Sequence, residues 1–231
     1  MPMFNEAHRL EACLGPALGY LAREFPGAEV FMIDDGSRDT TLDAAKELAR
    51  RFPGLKAKAL RLFPNRGKGA AVREGMLKAS GEICVFLDAD NATPAEELGR
   101  LVPLVRTPRT IVIGSRAHKG TQLEQKQPWW RQGMGKTFNL LVRLCLGLPY
   151  RDTQCGFKLF GREAAEVCFS RQKLDRFAFD AELLWIAHQE GLTIIEAPVR
   201  WRHVEESRVR PVGDSLKMIR DLLRIRWLHR S

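Results

Sequence analysis

A short apolar run that ends in two carboxylates constrains the fold of this chain more than any other feature. Ile83–Leu87 contains β-branched and aromatic residues, and Asp88 and Asp90 follow it directly. Such a run is typical of a buried strand in a parallel sheet. Ligands of open α/β sheets bind just beyond the carboxyl ends of the strands. The pattern therefore predicts a strand that carries Asp88 and Asp90 to a ligand-binding edge.

The same succession of strand, polar loop and helix recurs along the first half of the chain. Residues 30–33 are predicted to form a strand that ends in Asp34 and Asp35, and residues 110–113 a strand that ends before Arg116. Strands that alternate with helices are typical of a mostly parallel sheet covered on both faces. We therefore expect an α/β, Rossmann-like fold whose polar strand ends meet at one edge.

Two carboxylates one residue apart are costly to crowd together unless a cation neutralises them. A hard divalent ion, Mg²⁺ or Mn²⁺, prefers oxygen ligands and can also bind a substrate diphosphate. Asp88 and Asp90 are therefore candidate metal ligands. The alternative interpretation is a solvated turn before a helix that opens at Pro94.

The charge of the chain points to an anionic partner. The 231 residues carry a net charge of +9, and much of the basic excess lies from Arg200 onward. Nucleic acid, an anionic membrane face and phosphorylated substrates are all compatible with this charge. No nucleic-acid-binding motif is present, and acidic strand ends would repel phosphates without a metal, so we expect no nucleic-acid partner.

The cysteines and the hydropathy pattern indicate a cytoplasmic protein. No apolar run approaches the length of a transmembrane helix, and the start shows no signal-peptide pattern. The odd number of cysteines without paired spacing favours reduced thiols over a disulfide framework or a zinc site. These cysteines are Cys13, Cys84, Cys145, Cys155 and Cys168.

The C-terminal part is predicted to add helices and one basic amphipathic segment. We expect one domain over residues 1–212, with a first half at about 1–117 and a second half at about 118–212. Residues 213–231 are predicted to form a separate helix with apolar and basic residues interleaved. Its apolar stripe could pack on the core, or it could lie on an anionic membrane surface.

Several motifs, taken in order, resemble one enzyme family. Pro-Met-Phe-Asn-Glu at 2–6, Ile-Asp-Asp-Gly-Ser-Arg-Asp-Thr at 33–40, Asn-Arg-Gly-Lys-Gly at 65–69 and Leu-Asp-Ala-Asp at 87–90 resemble the donor-binding half of family 2 glycosyltransferases with the GT-A fold. The segments at 114–116, 151–158 and 177–184 resemble dolichyl-phosphate β-glucosyltransferases and their prokaryotic polyprenyl-phosphate relatives. The resemblance extends from residue 2 to about residue 227.

The resemblance implies a nucleotide-sugar site at the strand ends. In it, Asp35, together with Asp34, would bind the base and ribose, and Asp88 would bind ribose and share a Mg²⁺ or Mn²⁺ ion with Asp90. Lys68, in its glycine-flanked loop, would approach the nucleotide. Alternatively, Asp34 or Asp35 only caps the following helix, and Lys68 is a solvated loop residue. The implied donor-site residues are Pro2, Phe4, Glu6, Asp34, Asp35, Lys68 and Asp88.

The resemblance also implies a basic acceptor site. Guanidinium groups bind phosphate oxygens in a bidentate manner, which makes Arg116 and Arg131 candidates for catalysis and for acceptor binding. Arg131 follows two tryptophans that suit either a membrane interface or helix packing. If the acceptor were a hydroxyl, a carboxylate base would be needed, and Asp180 or Asp152 could serve. The implied acceptor-site residues are Arg116, Arg131, Gln154 and Arg208.

The expected activity is a metal-dependent, inverting transfer of a hexose to a polyprenyl or dolichyl phosphate. UDP-glucose is the favoured donor and GDP-mannose the runner-up, with a hydroxyl acceptor or a catalytically dead binding scaffold as alternatives. An enzyme of this kind would be cytoplasmic and could lie peripherally on the cytoplasmic face of an anionic membrane.

The chain departs from the family pattern at its start. Relatives have an apolar strand before the Pro-x-Phe-Asn-Glu motif, whereas only Met1 precedes Pro2 here. We therefore expect the first strand to be missing, and we hypothesise a misplaced start codon or a fragment.

Overall fold

The computed structural model describes residues 1–125, 129–204 and 211–230, with side chains for all of these except 129–132 and 211–216. The strands are β1 (Pro2–Met3), β2 (Glu29–Asp34), β3 (Lys56–Arg61), β4 (Ile83–Leu87), β5 (Thr110–Ser115), β6 (Gln122–Leu123), β7 (Phe157–Gly161), β8 (Thr193–Pro198) and β9 (Arg200–Trp201).

Helices separate most of these strands, as the sequence predicts. They are α1 (Leu10–Glu24), α2 (Thr41–Arg50), α3 (Lys68–Lys78), α4 (Leu98–Leu101), α5 (Trp129–Leu146), α6 (Arg162–Arg171), α7 (Phe179–Gln189) and α8 (Pro211–Leu228). Short 3-10 turns, Ala95–Glu97 and Val102–Leu104, flank α4.

The strands form a mixed, mostly parallel arrangement. The parallel strands β1, β2 and β3 make one sheet, and a second sheet has the order β4-β7-β5-β8. Strand β7 runs antiparallel to both of its neighbours, β4 and β5. Since β4 and β5 are both opposed to β7, they run in the same direction and end at the same edge. The α/β expectation is confirmed, and the antiparallel β7 is the feature that the strand pattern did not reveal.

The sequence led us to expect that the first strand is missing, but the start of the chain forms a short strand, β1. Pro2 and Met3 pair in parallel with Ile33 and Asp34 of β2. Among the described strands, β1 pairs only with β2, so the three-stranded and four-stranded sheets are separate.

Alternating side chains of the four-stranded sheet enter two hydrophobic cores. Ile111 and Ile113 of β5 are buried with residues of α3 and α5–α8, whereas Val112 points to the opposite core, which contains residues of α1 and α2. This alternation is the period-two pattern expected of a sheet covered on both faces. The two layers of helices hold the strand ends in place.

Helix α8 packs against one of the two hydrophobic cores. Leu222 and Ile225 are buried in the core that contains α5 and α7, whereas Leu223 and Trp227 remain 63% and 64% exposed. Of the helices in the described parts of the chain, none combines the length and apolar character needed to cross a bilayer.

Candidate active site

The end of β4 delivers Asp88 to the edge that the sequence predicts. In the antiparallel β4–β7 pair, Leu87 stands opposite Phe157, so the residue after β4 meets the residue before β7. Accordingly, the backbone N–H of Asp88 donates to the carbonyl oxygen of Gly156 at 3.0 Å. The backbone of Asp88 is therefore fixed by the segment that precedes β7.

A lysine from α3 neutralises this aspartate. Nζ of Lys68 donates to Oδ2 of Asp88 at 2.9 Å and lies 2.6 Å from Oδ1. The shorter approach is not aligned for a hydrogen bond, which leaves Oδ1 buried without a hydrogen-bond partner. Burial lowers the pKa of Lys68, but neighbouring carboxylates, above all that of Asp88, outweigh it and raise this pKa. Lys68 is therefore charged at neutral pH.

The second acid of the motif sits in the same electrostatic environment. Oδ1 of Asp90 accepts a hydrogen bond from the backbone N–H of Ala92 at 3.0 Å. Burial, and then the charge of Asp88, raise the pKa of Asp90. A cation placed beside the buried Asp90 carboxyl would oppose both effects and favour its ionised form.

The residues at this edge fit a divalent metal ion that also binds a substrate. Within the described residues, no three His, Cys, Asp or Glu side chains cluster as a complete metal site. Mg²⁺ is usually held by only one or two carboxylates together with substrate phosphates and water. Such an incomplete oxygen donor set is provided by the carboxyl of Asp90 and by Oδ1 of Asp88, which is ion-paired with Lys68 but has no hydrogen bond.

Asp34 follows the predicted strand but is enclosed by its own turn. Its side chain is fully buried, and its Oδ2 accepts from Nε of Arg61 at 2.7 Å. Oδ1 accepts from the backbone N–H of Ser37 at 3.0 Å and from the Ser37 hydroxyl. These contacts make Asp34 an anchor of the turn between β2 and α2.

Asp35 anchors the loop that carries Lys68. Its oxygens accept hydrogen bonds from the side chain of Asn65 at 2.8 Å and from the backbone N–H groups of Arg66 and Gly67 at 2.8 and 2.7 Å. Gly67 has a φ of 116°, a value that favours glycine, and the next residue begins α3. Sequence reasoning missed this link, although the close spacing of Asn65, Gly67 and Lys68 could have suggested it.

The N-terminal motif places Pro2, Phe4 and Glu6 beside β2 and α2. Pro2 pairs with β2, Phe4 is half-buried, and Glu6 is buried with its backbone N–H donating to the Thr41 hydroxyl at 2.7 Å. The Glu6 carboxylate is ion-paired with Arg9, whose Nη1 is buried without a hydrogen-bond partner. Arg9 is a site candidate that the sequence reasoning missed.

On the other side of the site, Arg116 is clamped by Asp152. Nε and Nη2 of Arg116 lie 2.7 and 2.9 Å from the two carboxylate oxygens of Asp152, and the backbone N–H of Arg116 donates at 2.9 Å. Burial raises the pKa of Asp152, but the charge and hydrogen bonds of Arg116 outweigh burial and lower it to about 2. A carboxylate with so low a pKa is a poor general base, so its contacts assign Asp152 to holding Arg116.

Asp180 lies in a buried ion pair. The ammonium of Lys158, fully buried on β7, contacts Oδ1 of Asp180 and donates to the carbonyl oxygen of Cys155 at 2.7 Å. Burial raises the pKa of Asp180, although the charge of Lys158 opposes this. A raised pKa suits a general base, but this carboxylate is already paired and only 3% exposed.

Of the remaining predicted acceptor-site residues, the structure describes the side chain of Gln154. Gln154 is half-buried, and its Nε2 is a buried donor without a partner, free for an anionic ligand. The side chains of Arg131 and Arg208 lie outside the described residues. The roles of both arginines stay predictions.

The α/β fold, with Asp88 and Asp90 at the end of β4, is the arrangement expected of the GT-A type. Residues 1–169 match the model of the family "Glycosyl transferase family 2". The chain therefore belongs to this family, and the protein is a glycosyltransferase.

Curated relatives are more specific. The chain is 38% identical to the dolichyl-phosphate beta-glucosyltransferase of Drosophila melanogaster, over 99% of this chain and 73% of the relative. It is 37% identical to the human enzyme of the same name, over 98% of this chain and 73% of the relative. The resemblance to dolichyl-phosphate β-glucosyltransferases is thus confirmed over nearly the whole chain.

Solved structures share the fold at lower identity. Glucosyl-3-phosphoglycerate synthase from Mycobacterium tuberculosis, in complex with Mn²⁺, UDP-glucose and glycerol 3-phosphate, is 18% identical with a TM-score of 0.65, over 97% of this chain and 76% of that chain. The mannosyltransferase PcManGT from Pyrobaculum calidifontis, in complex with GDP-Man and Mn²⁺, is also 18% identical with a TM-score of 0.58, over 98% and 70%. At this identity, the similarity establishes the GT-A fold alone.

Proposed function

We propose that this glycosyltransferase moves glucose from UDP-glucose to a dolichyl or polyprenyl phosphate, with Mg²⁺ or Mn²⁺ bound. The similarity to dolichyl-phosphate beta-glucosyltransferases supports the sugar and the acceptor. The observation that carries the chemistry is the pair Asp88 and Asp90 at the end of β4, with Oδ1 of Asp88 buried, ion-paired with Lys68 and without a hydrogen bond. Structural neighbours that hold Mn²⁺ and a nucleotide sugar support a donor site of this kind.

On the donor side, Asp88 and Asp90 hold the metal ion. Held by these residues, such an ion would supply Lewis-acid stabilisation of negative charge on the nucleoside diphosphate. Lys68 lies within contact of Asp88 and adds a second positive charge for the same diphosphate. Pro2, Phe4, Glu6 and Asp35 line the nucleoside pocket, with Asp34 shaping its turn.

On the acceptor side, a phosphate needs guanidinium groups but no general base. A lipid phosphate is already anionic at neutral pH, so its oxygen can attack the anomeric carbon directly. Arg116 keeps Nη1 outside its two hydrogen bonds to Asp152 and presents it to the acceptor phosphate, together with the side-chain amide of Gln154. Arg131 and Arg208 supply further positive charge in this proposal.

The expected stereochemical outcome is inversion. The incoming phosphate oxygen attacks the face of the sugar opposite the departing diphosphate, so an α-linked donor gives a β-linked lipid phosphate. The bond from the anomeric carbon to the acceptor oxygen forms as the bond to the diphosphate breaks. The electron pair of the broken bond leaves with the nucleoside diphosphate.

A hydroxyl acceptor would require a base, with Asp180 as the candidate. Asp180 is buried and paired with Lys158, an arrangement that favours a phosphate acceptor over a hydroxyl acceptor. GDP-mannose is the alternative donor, because a mannosyltransferase bound to GDP-Man shares the fold.

An anionic membrane surface is the proposed site of lipid access, on the cytoplasmic face. Helices α5 and α8 pack together, and each carries a pair of exposed apolar side chains one turn apart: Leu140 and Leu144, and Leu223 and Trp227. Apolar side chains framed by basic ones suit the interface of anionic lipids. Exposed basic residues on these helices are Lys136, Arg143, Lys217, Arg220, Arg224 and Arg226.

A donor panel tests the proposal directly. The enzyme is incubated with Mn²⁺ or Mg²⁺, with a short polyprenyl phosphate or the matching polyprenol, and with UDP-glucose or GDP-mannose in turn. We expect glucosyl transfer from UDP-glucose that chelation of the metal abolishes, and a loss of at least 100-fold in Asp90→Ala. A variant as active as wild type would refute the metal role, and consumption of a hydroxyl acceptor alone would refute the phosphate acceptor.

A further inference from the structure

The carboxylate of Asp88 occupies the space in which a side chain at position 156 would begin. A Cβ built on Gly156 would lie 1.9 Å from Oδ2, 2.2 Å from Cγ and 2.6 Å from Oδ1 of Asp88. These distances are far below any van der Waals contact. The three atoms nearest to that position all belong to Asp88.

The backbone conformation does not explain this glycine. The positive φ values in the protein belong to other residues, among them Gly36 and Gly67, and not to Gly156. An alanine at position 156 is therefore compatible with the backbone. The nearest obstacles to a side chain at position 156 are thus the atoms of the Asp88 carboxylate.

The segment around Gly156 is held in place and cannot easily retreat. Its carbonyl oxygen accepts the backbone N–H of Asp88 at 3.0 Å, and the following residue, Phe157, pairs with the end of β4. The preceding residue, Cys155, has its carbonyl oxygen bound by the buried ammonium of Lys158 at 2.7 Å. If a Cβ is added, the part that can move is the side chain of Asp88.

We infer that Gly156 is a positioning residue for Asp88. The missing side chain at position 156 gives the Asp88 carboxylate the space in which it faces Lys68 and the metal. A methyl group at position 156 turns the carboxylate out of this orientation and leaves the rest of the fold in place. The inference rests on the proposed function, because it takes Asp88 to be a metal ligand.

Gly161, at the other end of β7, shows what a purely structural glycine looks like. A Cβ there would meet backbone atoms, the carbonyl oxygens of Thr107 and Pro108, both at 2.6 Å. Backbone cannot swing aside, so substitution of Gly161 is expected to damage folding. At Gly156 the obstacle is a rotatable side chain, so substitution is expected to damage metal binding.

The test compares Gly156→Ala with Gly15→Ala, a control in α1 where an added Cβ has no atom within 4 Å. Mn²⁺ binding in the presence of UDP is measured by electron paramagnetic resonance, and thermal unfolding by circular dichroism. We expect Gly156→Ala to weaken Mn²⁺ binding at least tenfold and to raise the KM for the metal more than it lowers kcat. Gly15→Ala should bind Mn²⁺ as wild type does and should unfold at the same or a slightly higher temperature, because alanine favours the interior of a helix over glycine. Unchanged Mn²⁺ affinity in Gly156→Ala would overturn the inference.

Asp88→Ala separates the inference from the proposed function. If Asp88→Ala itself binds Mn²⁺ as wild type does, the metal role fails. If only Gly156→Ala binds normally, the metal role stands and the positioning role fails. Should Gly156→Ala unfold, the double variant Asp88→Ala/Gly156→Ala decides. A double variant as stable as Asp88→Ala locates the clash at Asp88, whereas one as unstable as Gly156→Ala overturns the inference.

Discussion

Nζ of Lys68 lies 2.6 Å from Oδ1 and 2.9 Å from Oδ2 of Asp88, so an ammonium group from α3 sits against the acid at the end of β4. The contact brings together residues 20 positions apart in the chain. A metal ion that binds Asp88 must share this carboxylate with Lys68 or displace it. Under the proposed function, Lys68 would therefore compete with the metal before the donor binds and assist it once the diphosphate is present.

Removing this ammonium should tighten metal binding in the absence of nucleotide. Even at an effective dielectric constant of about 20, a positive charge about 4 Å from a cation site disfavours binding of the cation by several kcal/mol. In Lys68→Met we expect Mn²⁺ to bind at least tenfold more tightly without UDP, while kcat/KM for the donor falls at least tenfold. Calorimetric titration with Mn²⁺, and steady-state kinetics, measure the two effects.

Lys78→Met is the matched control, because this half-exposed lysine at the other end of α3 pairs only with Glu74 among the described contacts. It should leave both quantities unchanged. Weaker Mn²⁺ binding in Lys68→Met would contradict the competition, since it would mean that Lys68 supports the metal even without nucleotide.

The strand ends could be predicted because local pattern determines them. Residues 83–87 were expected to form a strand, and β4 has these bounds. The apolar run and the abrupt change to polar residues are both contained in one short segment. The expected α/β class and the placement of Asp88 and Asp90 at a sheet edge followed from the same signal.

The partners of the site residues could not be predicted, because they come from distant parts of the chain. Asp152 lies 36 positions after Arg116, and Lys158 lies 22 positions before Asp180. Periodicity assigns a residue to a strand or helix, but it carries no information about which buried charge faces another. The antiparallel direction of β7, which brings Gly156 against Asp88, is likewise a tertiary property.

The Arg116–Asp152 pair should make stability depend on pH in the acid range. The folded-state pKa of Asp152 is about 2, below its ordinary value of 3.8. The stabilisation is therefore complete above about pH 4 and is lost as the pH falls through 2. Such a shift corresponds to about 2 kcal/mol. We expect Asp152→Asn to be less stable than wild type at pH 7, with the difference shrinking between pH 4 and pH 2.

Urea unfolding at a series of pH values measures this difference. Asp43→Asn, which changes an exposed carboxylate on α2, is the control and should differ little from wild type at any pH. A difference between Asp152→Asn and wild type that stays constant from pH 7 to pH 2 would show that the carboxylate charge is not its source.

The buried Lys158–Asp180 ion pair should contribute to the stability of the fold next to the site. Removing one partner leaves the other charge buried and unpaired, which typically costs 3–5 kcal/mol. We expect Asp180→Asn to lose about this much stability. The double variant Lys158→Met/Asp180→Leu, which removes both charges, should regain most of it. Thermal and urea unfolding of the three proteins provide the comparison.

Kinetics of the same variants distinguish a structural role of Asp180 from a role as general base. If Asp180 only supports the segment before β7, the double variant keeps measurable transfer to a lipid phosphate with an unchanged pH profile. A folded Asp180→Asn protein that has lost the acidic limb of its pH–rate profile would instead identify Asp180 as the base, and a hydroxyl acceptor with it.

The exposed apolar side chains of α8 should govern binding to anionic lipid. Leu223 and Trp227 are more than 60% exposed, and basic residues lie between and beside them. We expect wild type to cosediment with vesicles that contain phosphatidylserine and to be released as salt rises, because the attraction is partly electrostatic. Leu223→Glu/Trp227→Glu should reduce binding at least tenfold, since it removes apolar contact and adds negative charge that the anionic lipid repels.

Leu77→Glu is the control, because it places the same kind of substitution at an exposed leucine on α3, away from α5 and α8. It should bind as wild type does. Equal loss in both variants would mean that added negative charge alone weakens binding, and the proposed α5–α8 surface would then have no special role.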